Sequence, residues 1–288
     1  MISDITLGQF FPGESPLHRL DPRTKILLAI AFIVLVFLIG TPLEFLILAL
    51  VVVSLTAISK ISFKVVFKGI KPIIYVLIFT ALINVFLTSG EGEPLVDFWV
   101  IEIYKEGIIR AVFMSTRVIL LIIGTSVLLT YTTSPISLTD GIESLMSPLK
   151  LIGVPVHVFA MMMTIALRFI PTLIEETEKI INAQKSRGAD FSSGSLVKRA
   201  KALIPILVPL FISSFKRADE LATAMECRCY RGDMNRTKLV KLEYRRLDFA
   251  WFLIGISFIA LEVLIKVGTP YISQYIDPVM YGIVFYKL

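Results

Sequence analysis

The chain has 288 residues, 56% of them hydrophobic and 18% charged, with a mean hydropathy of +0.80 and a formal net charge of +6. Soluble domains carry about 25% charged residues, so this composition excludes a soluble globular protein and marks an all-α, polytopic integral membrane protein. The two cysteines, Cys227 and Cys229, are too close for an easy disulfide and too few to staple a chain of this size. They read as small helix residues in a reducing cytoplasm.

In chain order, the N-terminal segment lacks the basic stretch, short apolar core and small-residue cleavage site of a secretory signal. His18, Arg19 and Arg23 instead precede a helix expected to stay in the membrane. A helix crossing a core of ~30 Å needs about 20 mostly apolar residues. Four regions qualify before residue 132: 26–39 with its flanks, 45–58 after the turn GTPLE, 72–87 and 111–131. A fifth, 249–267, follows a long charged region. The segment between the second and third carries Lys60, Lys64, Lys68 and Lys71 and no acid. The loop before the fourth carries Glu91, Glu93, Asp97, Glu102 and Glu106 against Lys105. By the positive-inside rule the N-terminus and residues 132–247 are cytoplasmic and the acidic loop is outside. Three segments result: an N-terminal membrane region of four helices (1–131), a cytoplasmic or interfacial coupling region with two arms (132–247), and a C-terminal transmembrane helix and tail (248–288).

The middle segment is the unusual one. Residues 175–246 hold 15 Lys+Arg against 9 Asp+Glu, so the whole net charge lies there. Its oily stretch 203–215 is about 20 Å long as a helix, too short to cross, and contains Pro205 and Pro209. The stretch 151–174 is longer but holds Gly153, Pro155, His157, Arg168 and Pro171. Both are expected to lie in or under the cytoplasmic interface. Each runs into a charged continuation, 172–187 with Pro171 as its opening residue, and 216–228. In the first, acids come early and bases late, matching the helix dipole, and Gly188 suits the left-handed residue after the helix end.

The sequence lacks the usual marks of catalysis and of autonomous transport. There is no Gly-Lys pair for a phosphate loop, no G-x-S-x-G elbow and no H-E-x-x-H. His157 reads as an interfacial helix residue rather than a ligand. The interiors of the first four spans carry no Asp or Glu, whereas ion-driven carriers need ionisable groups at mid-depth. Arg117 reads as a snorkelling or interhelical contact, and Glu262 and Lys266, four apart, as a pair on one helix face.

What the charged arms share is their ends. Ala183-Gln-Lys-Ser186-Arg187-Gly188 and Ala224-Met-Glu-Cys227-Arg228-Cys229 place Ala, a small residue and Arg at one spacing. Attraction to anionic lipid needs only charge density. Small neighbours beside each Arg suit a tip that enters a groove, and the guanidinium fork suits recognition there. Two similar tips suit two similar partner subunits.

The stretches GQFFPGESPLHRLDPRTKILL, TTSPISLTDGIESLMSPLKLIGVPVHVFAMMMTIALRFIPTLIEE, AQKSRGADF, KRAKALIPILVPLF and AMECRCYRGD resemble the transmembrane T component of energy-coupling factor (ECF) transporters. The resemblance covers nearly the whole chain, least clearly its last 20 residues. It implies a non-catalytic scaffold in a prokaryotic plasma membrane. The scaffold would join two cytoplasmic ABC-type ATPases to a separate substrate-binding S component that takes up vitamins or metal ions. It would hold no cofactor, since ATP is bound by the ATPases, and lipid but no nucleic acid would be among its partners. The family's two Ala-Arg-Gly docking tips map to Ser186-Arg187-Gly188 and Cys227-Arg228-Cys229. Contact with the S component would fall on the oily halves, at Pro171, Pro205, Leu207, Pro209 and Phe211. The second tip departs from the pattern, with Cys in place of both Ala and Gly and a further Arg231-Gly232 downstream. Cys tolerates positive φ less well than Gly, so that helix is expected to continue to about Gly232, with Arg228 the favoured docking residue over Arg231. The alternatives are a conventional ABC permease, a self-contained channel or carrier, and a membrane enzyme. The transported solute is not written in this chain.

Overall fold

Two proline-led starts set the first helices. In a computed structural model, which describes residues 10–88, 96–98, 101–189, 191, 195–232 and 242–272, the Asp21 carboxylate caps α1 (Pro22–Leu38) by accepting from Arg23 N–H at 2.9 Å. Pro22 takes a first-turn position whose N–H would have no partner anyway. The GTPLE turn repeats the device for α2 (Pro42–Ser59), where Thr41 and Glu44 form a reciprocal capping box around Pro42. α3 (Phe63–Ile70) passes through a 3-10 turn at Lys71–Ile73 into α4 (Ile74–Leu87). The acidic loop contains a short antiparallel hairpin of β1 (Val96–Phe98) and β2 (Ile101–Ile103). α5 (Lys105–Thr125) ends in a π turn at Ser126–Thr130. Then come α6 (Pro135–Leu145), α7 (Val156–Ser186), α8 (Leu196–Cys227) and α9 (Arg246–Ile272). Glu91, Glu93, Asp190, the basic residues of 233–241 and the segment 273–288 lie outside the described residues.

Among the described residues, five helical segments are long and apolar enough to cross a membrane: Pro42–Ser59, Phe63–Leu87, Lys105–Thr130, Val156–Ser186 and Arg246–Gly268. The chain is a multi-pass, all-α membrane protein. The five differ from the expected set by one exchange. α1 is not among them: at 17 residues, about 25 Å, it lies at the short end of the helices that can cross. α7 qualifies by length and composition, contrary to the interfacial reading of 151–174. The reason is that α7 is one helix of 31 residues running through Pro171, which therefore does not open a new helix. An interior proline costs about 3 kcal/mol and one backbone hydrogen bond. Fifteen helical residues before it and fifteen after outlast that cost. α8 likewise runs unbroken through Pro205 and Pro209.

The helices fall into two units, α1 to α5 with α9, and α6 to α8. The first unit packs around Leu17, Val36, Leu48, Val52 and Val127, none more than 2% exposed. α1 packs closely on α5 at Gly124, where any Cβ would overlap the Phe32 ring. The carbonyl end of α1 is closed by two cations from other helices. Arg117 donates to Ile39 O at 2.7 Å with its guanidinium over the Phe45 ring, and Lys266 Nζ donates to Leu38 O at 3.1 Å. Both satisfy carbonyls that a helix C-terminus leaves unbonded. Arg117 is thus an interhelical contact. Glu262 is buried, and neither of its oxygens has a hydrogen-bond partner, so the expected Glu262–Lys266 pair is not a hydrogen-bonded one. Lys266 hydrogen-bonds the α1 carbonyl.

A polar knot ties the start of α1 to the start of α9. Asp248, fully buried, accepts from Asp21 N–H at 2.8 Å and from Arg245 N–H at 2.7 Å. Beside it, the buried Lys25 Nζ donates to Thr132 O at 2.8 Å. Arg23 donates to Leu242 O at 3.1 Å and stacks over Tyr244. In the other unit His157 Nδ1 meets Glu143 Oε1 at 3.0 Å, joining α7 to α6. Its ring is held by a carboxylate as part of a helix contact.

Candidate functional site

Both charged arms end in the same hydrogen-bonded turn. At the end of α7, Ala189 N–H donates to Gln184 O at 3.0 Å and Gly188 N–H to Lys185 O at 2.9 Å. At the end of α8, Tyr230 N–H donates to Met225 O at 3.0 Å and Cys229 N–H to Glu226 O at 2.9 Å. These paired 6→1 and 5→2 bonds are the Schellman motif, which requires a left-handed residue just past the helix. Gly188 takes it at φ +85° and Cys229 at φ +56°. Arg187 and Arg228 occupy the same cap position in the two motifs, forty-one residues apart. The helices end one residue before them, at Ser186 and Cys227. Ala183, Ser186, Arg187 and Gly188 are all exposed, as are Ala224, Cys227, Arg228 and Cys229. Each tip is therefore a bare guanidinium on a rigid turn, flanked by side chains no larger than a thiol.

The expected continuation of α8 to Gly232 is overturned. A non-glycine residue in the left-handed region costs about 1–2 kcal/mol, and two carbonyls of the last turn are satisfied in exchange. Arg231 lies past the helix end and has no counterpart in the first arm. A direct check follows from this geometry. Cys229→Gly should leave the turn intact, while Cys229→Val, β-branched at positive φ, should loosen it by about 1–2 kcal/mol. Amide hydrogen exchange at residue 229 and Tyr230 reads the difference. Equal protection in both variants would show that the left-handed turn is not what ends the arm.

Below the tips, α7 and α8 cross. Arg217 Nη2 meets Glu176 Oε2 at 3.0 Å, and Ser213 Oγ also donates to the Glu176 carboxylate. Ile165, Phe169 and Leu173, before Glu176, share a cavity with Ala218, Ala222 and Met225, after Arg217. The helices therefore pass antiparallel, and their tips point away from each other. Sequence reasoning missed this pair. The signal was available, because Glu176 and Arg217 stand forty-one residues apart, as Arg187 and Arg228 do. Pro171, Pro205, Leu207, Pro209 and Phe211 are all exposed. Around them α8 displays Ile204, Val208, Ile212 and Phe215, each more than half exposed, with Phe211 and Phe215 packed edge to face at 4.6 Å. An apolar band of that size is a face for lipid or for another membrane subunit.

A polytopic helical membrane protein with paired, outward-pointing arginine tips is the class that these features define. The model of the CbiQ family, described as cobalt transport protein, matches residues 13–239. The chain is 50% identical over 267 residues to the energy-coupling factor transporter transmembrane protein EcfT of Clostridium kluyveri, covering 93% of this chain and 98% of that one. It is 52% identical over 270 residues to the protein of that name from Acidaminococcus fermentans (94% and 100%). Against that of Bacillus subtilis it is 45% identical over 248 residues (86% and 93%). The chain belongs to the CbiQ family, among the transmembrane components of energy-coupling factor transporters.

Proposed function

We propose that this chain is the scaffold of an ECF-type importer, joining two cytoplasmic ABC-type ATPases to one membrane-embedded S component that binds a vitamin or a metal ion. The observation that carries the reading is the pair of matching Schellman turns, each presenting one exposed Arg. Two identical keys suit the two similar grooves of an ATPase pair. Arg187 and Arg228 are the docking residues, and Arg231, outside the shared turn, is not. Small flanking residues let the guanidinium enter a groove, where its rigid fork can make bidentate contacts. The chain is non-catalytic, and ATP is bound by the ATPases. Its N-terminus and arms face the cytoplasm of a prokaryotic cell, with the protein in the plasma membrane.

In the working cycle, ATP binding draws the two ATPases together and carries the two tips with them. The movement passes along α7 and α8 to their oily halves, where Pro171, Pro205, Leu207, Pro209 and Phe211 meet the S component and reorient it. Each proline leaves a backbone carbonyl without its helical donor, which a neighbouring subunit can supply. A conventional permease would line its own solute path. Here the exposed band lies on α8, where another membrane subunit would cover it.

The test is affinity purification of the chain from its native membranes in mild detergent, with the co-purifying proteins identified by mass. Two ATPase-sized soluble subunits and one small hydrophobic protein are expected, and the small protein names the solute class. Recovery of the folded chain alone would overturn the scaffold and point to a self-contained channel or carrier.

A further inference from the structure

The α7–α8 crossing holds an ion pair, and its place in the molecule is not arbitrary. Glu176 and Arg217 are separated by the same forty-one residues as the tip arginines, so they are equivalent positions in the two arms. Each lies eleven residues before its own tip, about 16 Å along a helix. The contact thus sits where the axis relating the two arms must pass, and the tips reach equally far on either side of it. The pair is partly shielded, its side chains being 38% and 22% exposed, and Ser213 adds a second hydrogen bond to the same carboxylate.

The surroundings do not define the crossing by themselves. A cavity of about 270 Å³ lies beside the pair, walled by Ile165, Phe169, Leu173, Ala218, Ala222 and Met225. Small alanines and a flexible methionine against apolar side chains pack nearly as well after a slide of one helical turn, about 5.4 Å. Burying a charge without its partner does not, and setting register is the best-attested role of ion pairs between packed helices. We propose that Glu176 and Arg217 are positioning residues, pinning the register of the crossing so that Arg187 and Arg228 are held at equal reach for their two partners. The pin follows from the crossing alone. Its use in coupling rests on the docking function proposed above.

The test reads the pin without any partner. Cys227 provides a spin-label site on one tip, and Ser186→Cys gives the equivalent site on the other, with Cys229→Gly removing the second thiol. Electron–electron distance measurement on the full chain in lipid nanodiscs should give one narrow distribution, near the separation of about 30 Å along the helices expected for labels ten residues beyond the pair on each arm. Glu176→Ala or Arg217→Ala should broaden it or shift it by about 5 Å, one helical turn. The exchange Glu176→Arg with Arg217→Glu should restore the narrow distribution. A merely stabilising contact would lower the melting temperature in the single variants and leave the distance unchanged, which overturns the proposal. If the single variants do not fold, the exchange variant decides. A native distance supports the pin and a broad one overturns it. Loss of ATPase capture in Arg187 or Arg228 variants would be a separate result, since the distance is measured with no ATPase present.

Discussion

ATP-driven uptake is expected to fall to background when Arg187 and Arg228 are both replaced by Glu, with the protein still inserted and folded. Truncating an arginine at the centre of an interface costs about 2 kcal/mol or more, and reversing its charge adds repulsion from whatever acid it met. Two independent tips compound the loss, so each single variant should retain more transport than the double one. The measurement is solute uptake in proteoliposomes containing the ATPases and the S component, with yield and helicity of the purified chain as the folding control. Normal uptake by the double variant would end the docking model. Replacing both residues with Lys separates docking from lipid attraction. Lipid needs only the charge, about 1 kcal/mol per residue near an anionic surface, and would accept Lys. A groove shaped for a planar fork would not. The exposure of both arginines on identical turns is why the effect should be on coupling and not on stability.

The opposite pattern, loss of stability first, is expected at Asp248. Its carboxylate is fully buried, accepts two backbone N–H groups at 2.8 and 2.7 Å, and lies in electrostatic contact with the buried Lys25. Asp248→Ala strands both donors, at about 1–3 kcal/mol each, and leaves Lys25 short of a counter-charge. A total of about 2–6 kcal/mol follows from the two donors, a large share of the net stability of a typical domain. Asp248→Asn keeps one acceptor and should fall between. The midpoint of heat-induced loss of the monodisperse peak in detergent measures the order wild type, Asn, Ala. An unchanged midpoint for Ala would mean that the knot between α1 and α9 is not what holds these helix starts together.

The two sites differ in how legible they were. The tips could be read from residues alone because a local rule fixes them. Ala, a small residue and Arg recur at one spacing, and Gly188 is a helix terminator by its own conformational freedom. The second tip was only half readable. Cys229 carries no such freedom, and propensity pointed past it to Gly232. The paired hydrogen bonds of the last turn decided otherwise, and those depend on where the helix stops. The Asp248 knot was not readable at all, because Asp21 and Asp248 are 227 residues apart. Nothing in either neighbourhood announces the other.

Composition and periodicity by themselves determined the class: a helical, multi-pass membrane protein with its positive charge gathered in one segment and two arms that end alike. Those properties come from residue solubility and from rules acting within one helical turn. Tertiary structure decided that Pro171, Pro205 and Pro209 lie inside continuous helices, since a lost hydrogen bond is outweighed by the turns on either side. It decided that Lys266 helps close α1, because an open carbonyl from another helix stood within reach. It also set Glu176 against Arg217, a meeting that exists only where two antiparallel helices cross and that no spacing within either one could dictate.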